Sequence, residues 1–334
     1  MAATWTFLGN APPVPGLVFR PFRGSEDYPD MASVLNDACA ADGVDRVVTP
    51  DDIRRSYEHM DNCDPLTDMV FAEIDGRLVA YGRTFWWEEN EGPVRYMPFC
   101  YIRGEVRGRG IGAAMLAHNE ARLRQIAAGH TGDRVRTFTV YHSDNEPAAQ
   151  ALFEQAGYEP AEYQADMVRP DLEDIPDAPM PEGLVVRTPT DEEFRKVWEA
   201  GTEAFRDHVG AADPTENDYQ QALAAPHWDP TLWRIAWDGD EVAGQVRSYI
   251  DESENEEFGR KRGWTENISV RRPYRRQGLA RSLLVQSLHA VKERGMEQAA
   301  LGVHTTNPNG AFQLYESVGF RVVRLWTERH KPLD

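Results

Sequence analysis

At 334 residues the chain exceeds what one hydrophobic core usually serves, and 41% hydrophobic with 27% charged residues is the profile of a globular rather than a disordered protein. No run of 18 or more apolar residues appears, which argues against a membrane span. A formal net charge of −19 argues against nucleic acid as the main partner, because phosphate binding needs a basic face; it favours a cationic small molecule or serves solubility alone.

The first ten residues lack a basic region followed by an apolar run and do not read as a signal peptide. Cys39, Cys63 and Cys100 make neither a disulfide framework nor a metal-ligand spacing, so no metal is expected and a reducing cytoplasm is the expected compartment. Residues 1–16, rich in proline and glycine, read as a surface arm. A strand follows at Leu17–Phe22, then a helix capped by Ser25 and a second begun by Thr49-Pro50. Met69–Ile74 and Leu78–Trp87 are strands joined at Asp75-Gly76, a strong hairpin signal. A third strand runs over Val94–Ile102. Next come the glycine-rich turn Arg107–Gly112, a helix to about Ala128, the strand Arg134–Tyr141, a helix ended by Gly157, and a last strand. Asp171–Gly183, with three prolines and five acids, has the composition of a linker.

The same order then begins again: strand, helix from Thr190, second helix, the hairpin at Asp238-Gly239, and the strand Thr265–Val270. An acidic loop with Glu252, Glu254 and Glu256 precedes that strand and reads as a solvated face. Arg107 and Arg275, Gly110 and Gly278, and Gly112 and Ala280 are all 168 positions apart. His142 and His304, Asn145 and Asn307, and Gly157 and Gly319 are all 162 apart. Two copies of one domain are expected, 1–170 and 184–334, with 171–183 between them, each α/β with mixed α+β character.

In each copy a strand, a short basic turn and a helix N-terminus make an anion site, because the first helical N–H groups lack intrahelical partners and the dipole is positive there. In the second copy the candidate contacts are Ile268 and Val270 of the strand, then Arg275, Arg276, Gln277, Gly278, Leu279 and Ala280. In the first they are Arg107, Gly108, Arg109, Gly110 and Gly112. Gly108-x-Gly110-x-x-Ala113 also matches a loose dinucleotide fingerprint, but it follows a hairpin-rich β region and the second copy lacks the second glycine.

Arg-x-x-Gly-x-Ala at 275–280, Arg-x-x-Gly-x-Gly at 107–112, and Asn307-x-x-x-Ala-Phe-x-Leu-Tyr-Glu-x-x-Gly-Phe320 together resemble the GNAT superfamily of N-acetyltransferases, over nearly the whole chain and twice. The resemblance implies two tandem GNAT-like domains, each a mostly antiparallel twisted sheet flanked by helices, with acetyl-CoA as cofactor. It gives Asn307, and by the repeat Asn145, a cofactor contact, sets Ala311 on the helix beside it, and gives Tyr315 the general-acid role toward the CoA sulfur. It also puts acceptor contacts in and after the second copy's first two helices, where Phe205, His208, Asp213, His227, Trp228, Asp229 and Trp233 lie.

Acetyl transfer needs a neutral amine, a polarised thioester carbonyl and a proton for the leaving thiolate. Glu266 shares a strand face with Ile268 and Val270, which makes it a candidate general base or else one half of a structural ion pair. Tyr315 is either the acid or a core tyrosine. His304 is a possible relay, or a strand-end histidine bonded to a loop. The first copy has Phe153 and Pro98 at the places of Tyr315 and Glu266, so it is expected to be silent, a cofactor-binding or structural partner. The expected function is acetyl transfer to a small-molecule amine in the C-terminal copy. The rival readings are a non-catalytic acyl-CoA sensor and an acetyltransferase of protein amines. The oligomeric state is left open.

Overall fold

The structure, a computed structural model, describes residues 8–58, 60–208, 210–306 and 310–334. Two compact units emerge, residues 1–162 with 327–334 and residues 163–326. The expected boundaries near 170 and 184 follow the sequence repeat. The units follow the sheet, and each division falls inside a strand.

In unit 1 the elements are β1 (Leu17–Arg20), α1 (Tyr28–Ala41), α2 (Pro50–Glu58), α3 (Pro65–Asp68), β2 (Met69–Ile74), β3 (Arg77–Glu88), β4 (Val94–Ile102), α4 (Ile111–Ala128), β5 (Arg136–Ser143), α5 (Pro147–Gln155) and the start of β6 (Glu159–Arg169). β1 to β4 pair antiparallel in succession, and β4 meets β5 in parallel. α1 buries Met31, Val34, Leu35 and Ala38, the helical stripe its sequence predicts. Ser25 lies in a short 3₁₀ turn ahead of α1 and gives no side-chain cap. Asp27 precedes α1 instead, and its carboxylate accepts from Arg20 at 2.7 Å. The closing strand of this unit comes from the far end of the chain: Leu333 N–H donates to Arg136 O at 3.0 Å and Lys331 meets Glu120 at 2.9 Å.

In unit 2 the elements are β7 (Val185–Arg187), α6 (Phe194–Phe205), α7 (Glu216–Leu223), β8 (Arg234–Asp238), β9 (Glu241–Ile250), α8 (Glu252–Glu257), β10 (Arg262–Val270), α9 (Leu279–Glu293), β11 (Gln298–His304), α10 (Ala311–Ser317) and most of β12 (Arg321–Pro332). β7 to β10 are antiparallel in succession, β10 and β11 are parallel, and β11 pairs antiparallel with β6 from Gln164 to Arg169. α9 turns Leu279, Leu283, Leu284, Leu288 and Val291 into the core. Among the described residues each unit is thus mixed α/β, a mostly antiparallel sheet with one parallel pair.

Two segments differ from their expected character. Residues 171–183 do not hang free. Leu172 is buried in the core, Lys292 Nζ donates to its carbonyl at 2.6 Å, and Ser282 Oγ donates to Ala178 O at 3.0 Å, so the segment is strapped along α9. The acidic loop before β10 forms α8, because Asp251 accepts from Glu254 N–H at 2.9 Å and caps it. Glu254 is buried rather than solvated, held by Arg260 and by Trp264 Nε1 at 3.2 Å.

Candidate active site

The centre of unit 2 is a break in its sheet. β10 and β11 pair only over Arg262–Gln298, Gly263–Ala299 and Trp264–Ala300. Beyond Trp264 the β9–β10 register slips between Glu266 and Ser269, with Asn267 at φ 51. A bulge of this kind bends its strand and re-aims side chains. Here Glu266 reaches across to β11 and accepts the Gly302 N–H at 3.0 Å.

A cleft of about 500 Å³ opens at this break. Glu266, Ile268 and Val270 line it from β10, and Ala311 and Tyr315 line it from α10. Arg275, Arg276, Gly278, Leu279 and Ala280 line it from the basic turn and the start of α9, with His208 and His304 on further walls. Glu266 is only partly accessible. Burial outweighs the N–H groups of Gly302 and Asn267 and pushes its carboxyl up to about 7. Tyr315 is buried, and its phenol is pushed upward by desolvation and then by the Glu266 charge. His208 is pushed down by burial, with the neighbouring charges of His304 and Arg275 adding to the effect.

The basic turn divides its labour. Arg275 donates to Val270 O at 2.9 Å, to Asp207 at 2.5 Å and to Ala204 O at 3.1 Å, which ties the turn to the end of α6. Arg276 and Gly278 take left-handed backbone conformations, φ 64 and φ 85, and Gly278 immediately precedes α9. Nothing lies within 4 Å of where a Cβ on Gly278 would stand. An open glycine, the first N–H groups of a fifteen-residue helix and the exposed Arg276 are the donor set that a pyrophosphate requires, so these residues fit coenzyme A.

Other expected residues lie elsewhere. Trp228 packs against Phe194 at 5.4 Å and Trp233 at 4.6 Å in the core, away from the cleft. Asp213 pairs with Arg206 and Asp229 with Arg294, and neither lines the cleft. Gln277 turns its amide to Pro273 O at 3.2 Å. Asn307 lies outside the described residues. The sequence reading missed three features. Asn267 and Gly302 depend on the bulge, for which no local signal exists. Gln164 lines the cleft from β6, which β11 recruits over a long sequence distance.

Unit 1 has the turn and a like splay, β4 and β5 pairing over Val94–Arg136, Arg95–Thr137 and Tyr96–Phe138, but its β3–β4 ladder has no bulge. Arg107 repeats the anchor, donating to Ile102 O at 3.2 Å, to Asp42 at 2.8 Å and to Ala38 O at 3.4 Å. Gly108 and Gly110 have φ 74 and φ 84, and Arg109 is exposed. The β3–β4 ladder runs unbroken from Glu88–Val94 to Ala80–Ile102, with Pro98 opposite Thr84. A Cβ on Gly110 would meet Pro12 at 3.1 Å, and one on Gly112 would meet Ile102 at 3.0 Å and Leu152 at 3.4 Å. Phe153 packs in the core. His142 is buried between Ser143 O and Arg329, at 3.0 and 2.8 Å, and Asn145 is exposed.

The model of the acetyltransferase (GNAT) family matches residues 34–158 and 194–320. The mycothiol acetyltransferase of Geodermatophilus obscurus is 28% identical over 294 residues, 87% of this chain and 89% of that one. The mycothiol acetyltransferase of Catenulispora acidiphila is 28% identical over 316 residues, covering 91% and 95%. Two solved structures share the fold. A GCN5-related N-acetyltransferase from Sphaerobacter thermophilus has TM-score 0.71 at 22% identity, covering 95% and 96%. A tandem GNAT protein from the clavulanic acid biosynthesis pathway has TM-score 0.67 at 18% identity, covering 95% and 99%. The chain therefore belongs to the GNAT acetyltransferase family, as a tandem member laid out like mycothiol synthase and an N-acetyltransferase that uses acetyl-CoA.

Proposed function

We propose that the C-terminal unit transfers an acetyl group to the primary amine of a small molecule by direct attack, and that the N-terminal unit is catalytically silent. The observation that carries this reading is one cleft holding three things: the Gly278 turn, a Glu266 carboxyl raised to about 7, and the Tyr315 phenol.

Acetyl-CoA, when bound, supplies an activated thioester and a good leaving group. The residues proposed to hold it are the N–H groups of the Gly278 turn with Arg276, and the strand edge at Ile268 and Val270. Glu266 takes the proton from the acceptor ammonium, for which a carboxylate near 7 is matched to neutral pH. Gly302 N–H fixes one of its oxygens and leaves the other for the amine. Tyr315 keeps its proton at Oη at every working pH, because burial and the Glu266 charge disfavour the phenolate. It is thereby a proton source for the departing group.

Neither group has a counterpart in unit 1, where Pro98 and Phe153 stand and the ladder is unbroken. The three free cysteines and the lack, among the described residues, of any helix long and apolar enough to cross a membrane fit a cytoplasmic enzyme. The relatives' name puts mycothiol-type acceptors among the first amines to try. The test is acetyl-CoA turnover with a panel of primary amines, run with wild type, Glu266→Gln and Tyr315→Phe. Turnover that survives both substitutions would sink the assignment. Binding of acetyl-CoA with no amine accepted would favour a sensor.

A further inference from the structure

Arg247 lies on β9 directly opposite Glu266 of β10. Its guanidinium faces the rings of Trp198 at 5.3 Å and Trp233 at 5.8 Å, and Nη2 donates to Asn267 Oδ1 at 2.6 Å. Its Nε is buried without a hydrogen-bond partner. Among the described residues no carboxylate pairs with it. Its arginine neighbours around α6 differ: Arg187 meets Glu193, Arg195 meets Glu216, Arg206 meets Asp213, and Arg275 meets Asp207. Two residues along the same strand face, Gln245 is 1% exposed, and both atoms of its amide are buried without a partner. A cation and an amide left short of partners, one strand from the candidate base, mark a place where a ligand supplies the missing acceptor.

The first copy gives a control. Ala80 faces Ile102 and Gly244 faces Val270, and three residues further along each strand stands an arginine, Arg83 or Arg247. Arg83 is also ringed, by Tyr57, Phe85 and Phe99 at 5.4, 4.9 and 5.7 Å. Across the ladder it meets Phe99, where Arg247 meets Glu266. Only in unit 2 does the caged cation face a carboxylate across the strands, and the residue beside that carboxylate, Asn267, both bonds the guanidinium and lines the cleft.

We propose that the amine accepted by the C-terminal unit carries a carboxylate a few bonds from its nitrogen, bound by Arg247 with Asn267 while Glu266 faces the amine. This rests on the reading of Glu266 as the base. The short spacing follows from the ladder, since side chains directly opposite on adjacent strands start only about 5 Å apart. A carboxylate fits better than a phosphate. One planar guanidinium matches a planar monoanion in bidentate fashion, whereas a dianion would find a single cation in a chain of net charge −19. Arg247 is thus assigned to acceptor binding and specificity, with no part in proton transfer.

The experiment has two arms. In the first, wild type and Arg247→Met are assayed with matched amines, tyrosine against tyramine and leucine against 3-methylbutylamine. The expected result is that the member with a carboxylate next to its amine leads by about 100-fold in kcat/KM in wild type, and that the lead shrinks to a few-fold in the variant. An absent lead, or a lead that survives the substitution, overturns the proposal. In the second arm, wild-type protein is titrated with N-acetylglycine, with its neutral methylamide, and with inorganic phosphate, following tryptophan emission. Saturable binding of the acid, at least about tenfold tighter than the amide and not displaced by equimolar phosphate, supports the proposal. Equal binding of acid and amide, no saturation, or a preference for phosphate overturns it. This arm needs no turnover, so failure of the amine-acetylation reading and failure of the carboxylate site give different results.

Discussion

Replacing Glu266 with glutamine separates the two consequences of its burial. The amide keeps the size of the side chain and an oxygen for the Gly302 N–H, which the carboxylate accepts at 3.0 Å, but it cannot ionise. Moving a carboxyl from its ordinary 4.5 to about 7 corresponds to about 3 kcal/mol, an upper value because the cleft admits water beside it. The sign follows from the direction of the shift. A raised carboxyl makes the folded state hold its proton more tightly than the unfolded state does. Its contribution is most favourable below 4.5 and is lost as pH rises through about 7. Wild type therefore loses up to about 3 kcal/mol across that window and the glutamine variant does not. Urea unfolding at about pH 4.5 should show similar midpoints, while at about pH 8.5 the variant should be the more stable. In the acetylation assay, wild-type kcat/KM should fall as pH drops through about 7, and the variant should lose about 10²- to 10⁴-fold with no such limb. If the variant gains no stability at high pH, or the wild-type profile is flat around 7, Glu266 is not a buried base.

Tyr315→Phe keeps the ring that packs 6.3 Å from Phe320, so the melting temperature should hold while kcat falls by about 10² or more and the KM for acetyl-CoA stays near its wild-type value. Gly278→Ala meets no atom within 4 Å, so its cost is the backbone conformation alone, about 1–2 kcal/mol at φ 85, read as a several-fold rise in the KM for acetyl-CoA. Asp207→Asn weakens the ties to Arg272 and Arg275 that hold the basic turn; acetyl-CoA affinity measured by calorimetry should drop while the KM for the amine changes little. Phe153→Tyr placed in the Glu266→Gln background should add no turnover to what Glu266→Gln alone retains, since Pro98 offers no carboxylate; a rate above that of Glu266→Gln alone would refute the account of a silent unit.

Much of this protein is legible along the chain. The offsets of 168 and 162 positions expose the repeat, and the hairpins, the glycine turns and the stripe Leu279, Leu283, Leu284, Leu288 lay out most elements in order. Tyr315 and Glu266 could be singled out because one sits at a fixed helical step in a motif and the other on a strand face of period two. The misreadings share a cause. Glu254 reads as solvated until Arg260 and Trp264 close on it, and Trp228 reads as a pocket wall until Phe194 and Trp233 enclose it. In both cases side-chain contacts that no periodicity records decide burial.

The sequence by itself determined the element order, the duplication, the two glycine turns and the presence of Phe153 and Pro98 in one copy where the other has Tyr315 and Glu266, because each is written in the periodicity and residue types of the chain. Tertiary structure alone decided that Arg275 is a strut on Asp207, that a bulge at Asn267 swings Glu266 onto Gly302, that β6 brings Gln164 to the cleft, and that Arg247 stands between Trp198, Trp233 and Asn267, across the strands from Glu266. The first depends on how α6 packs against the turn, and the others on strand register and on which distant strand completes a sheet. A shift of one residue in register would send every side chain to the opposite face, and no local pattern records that choice.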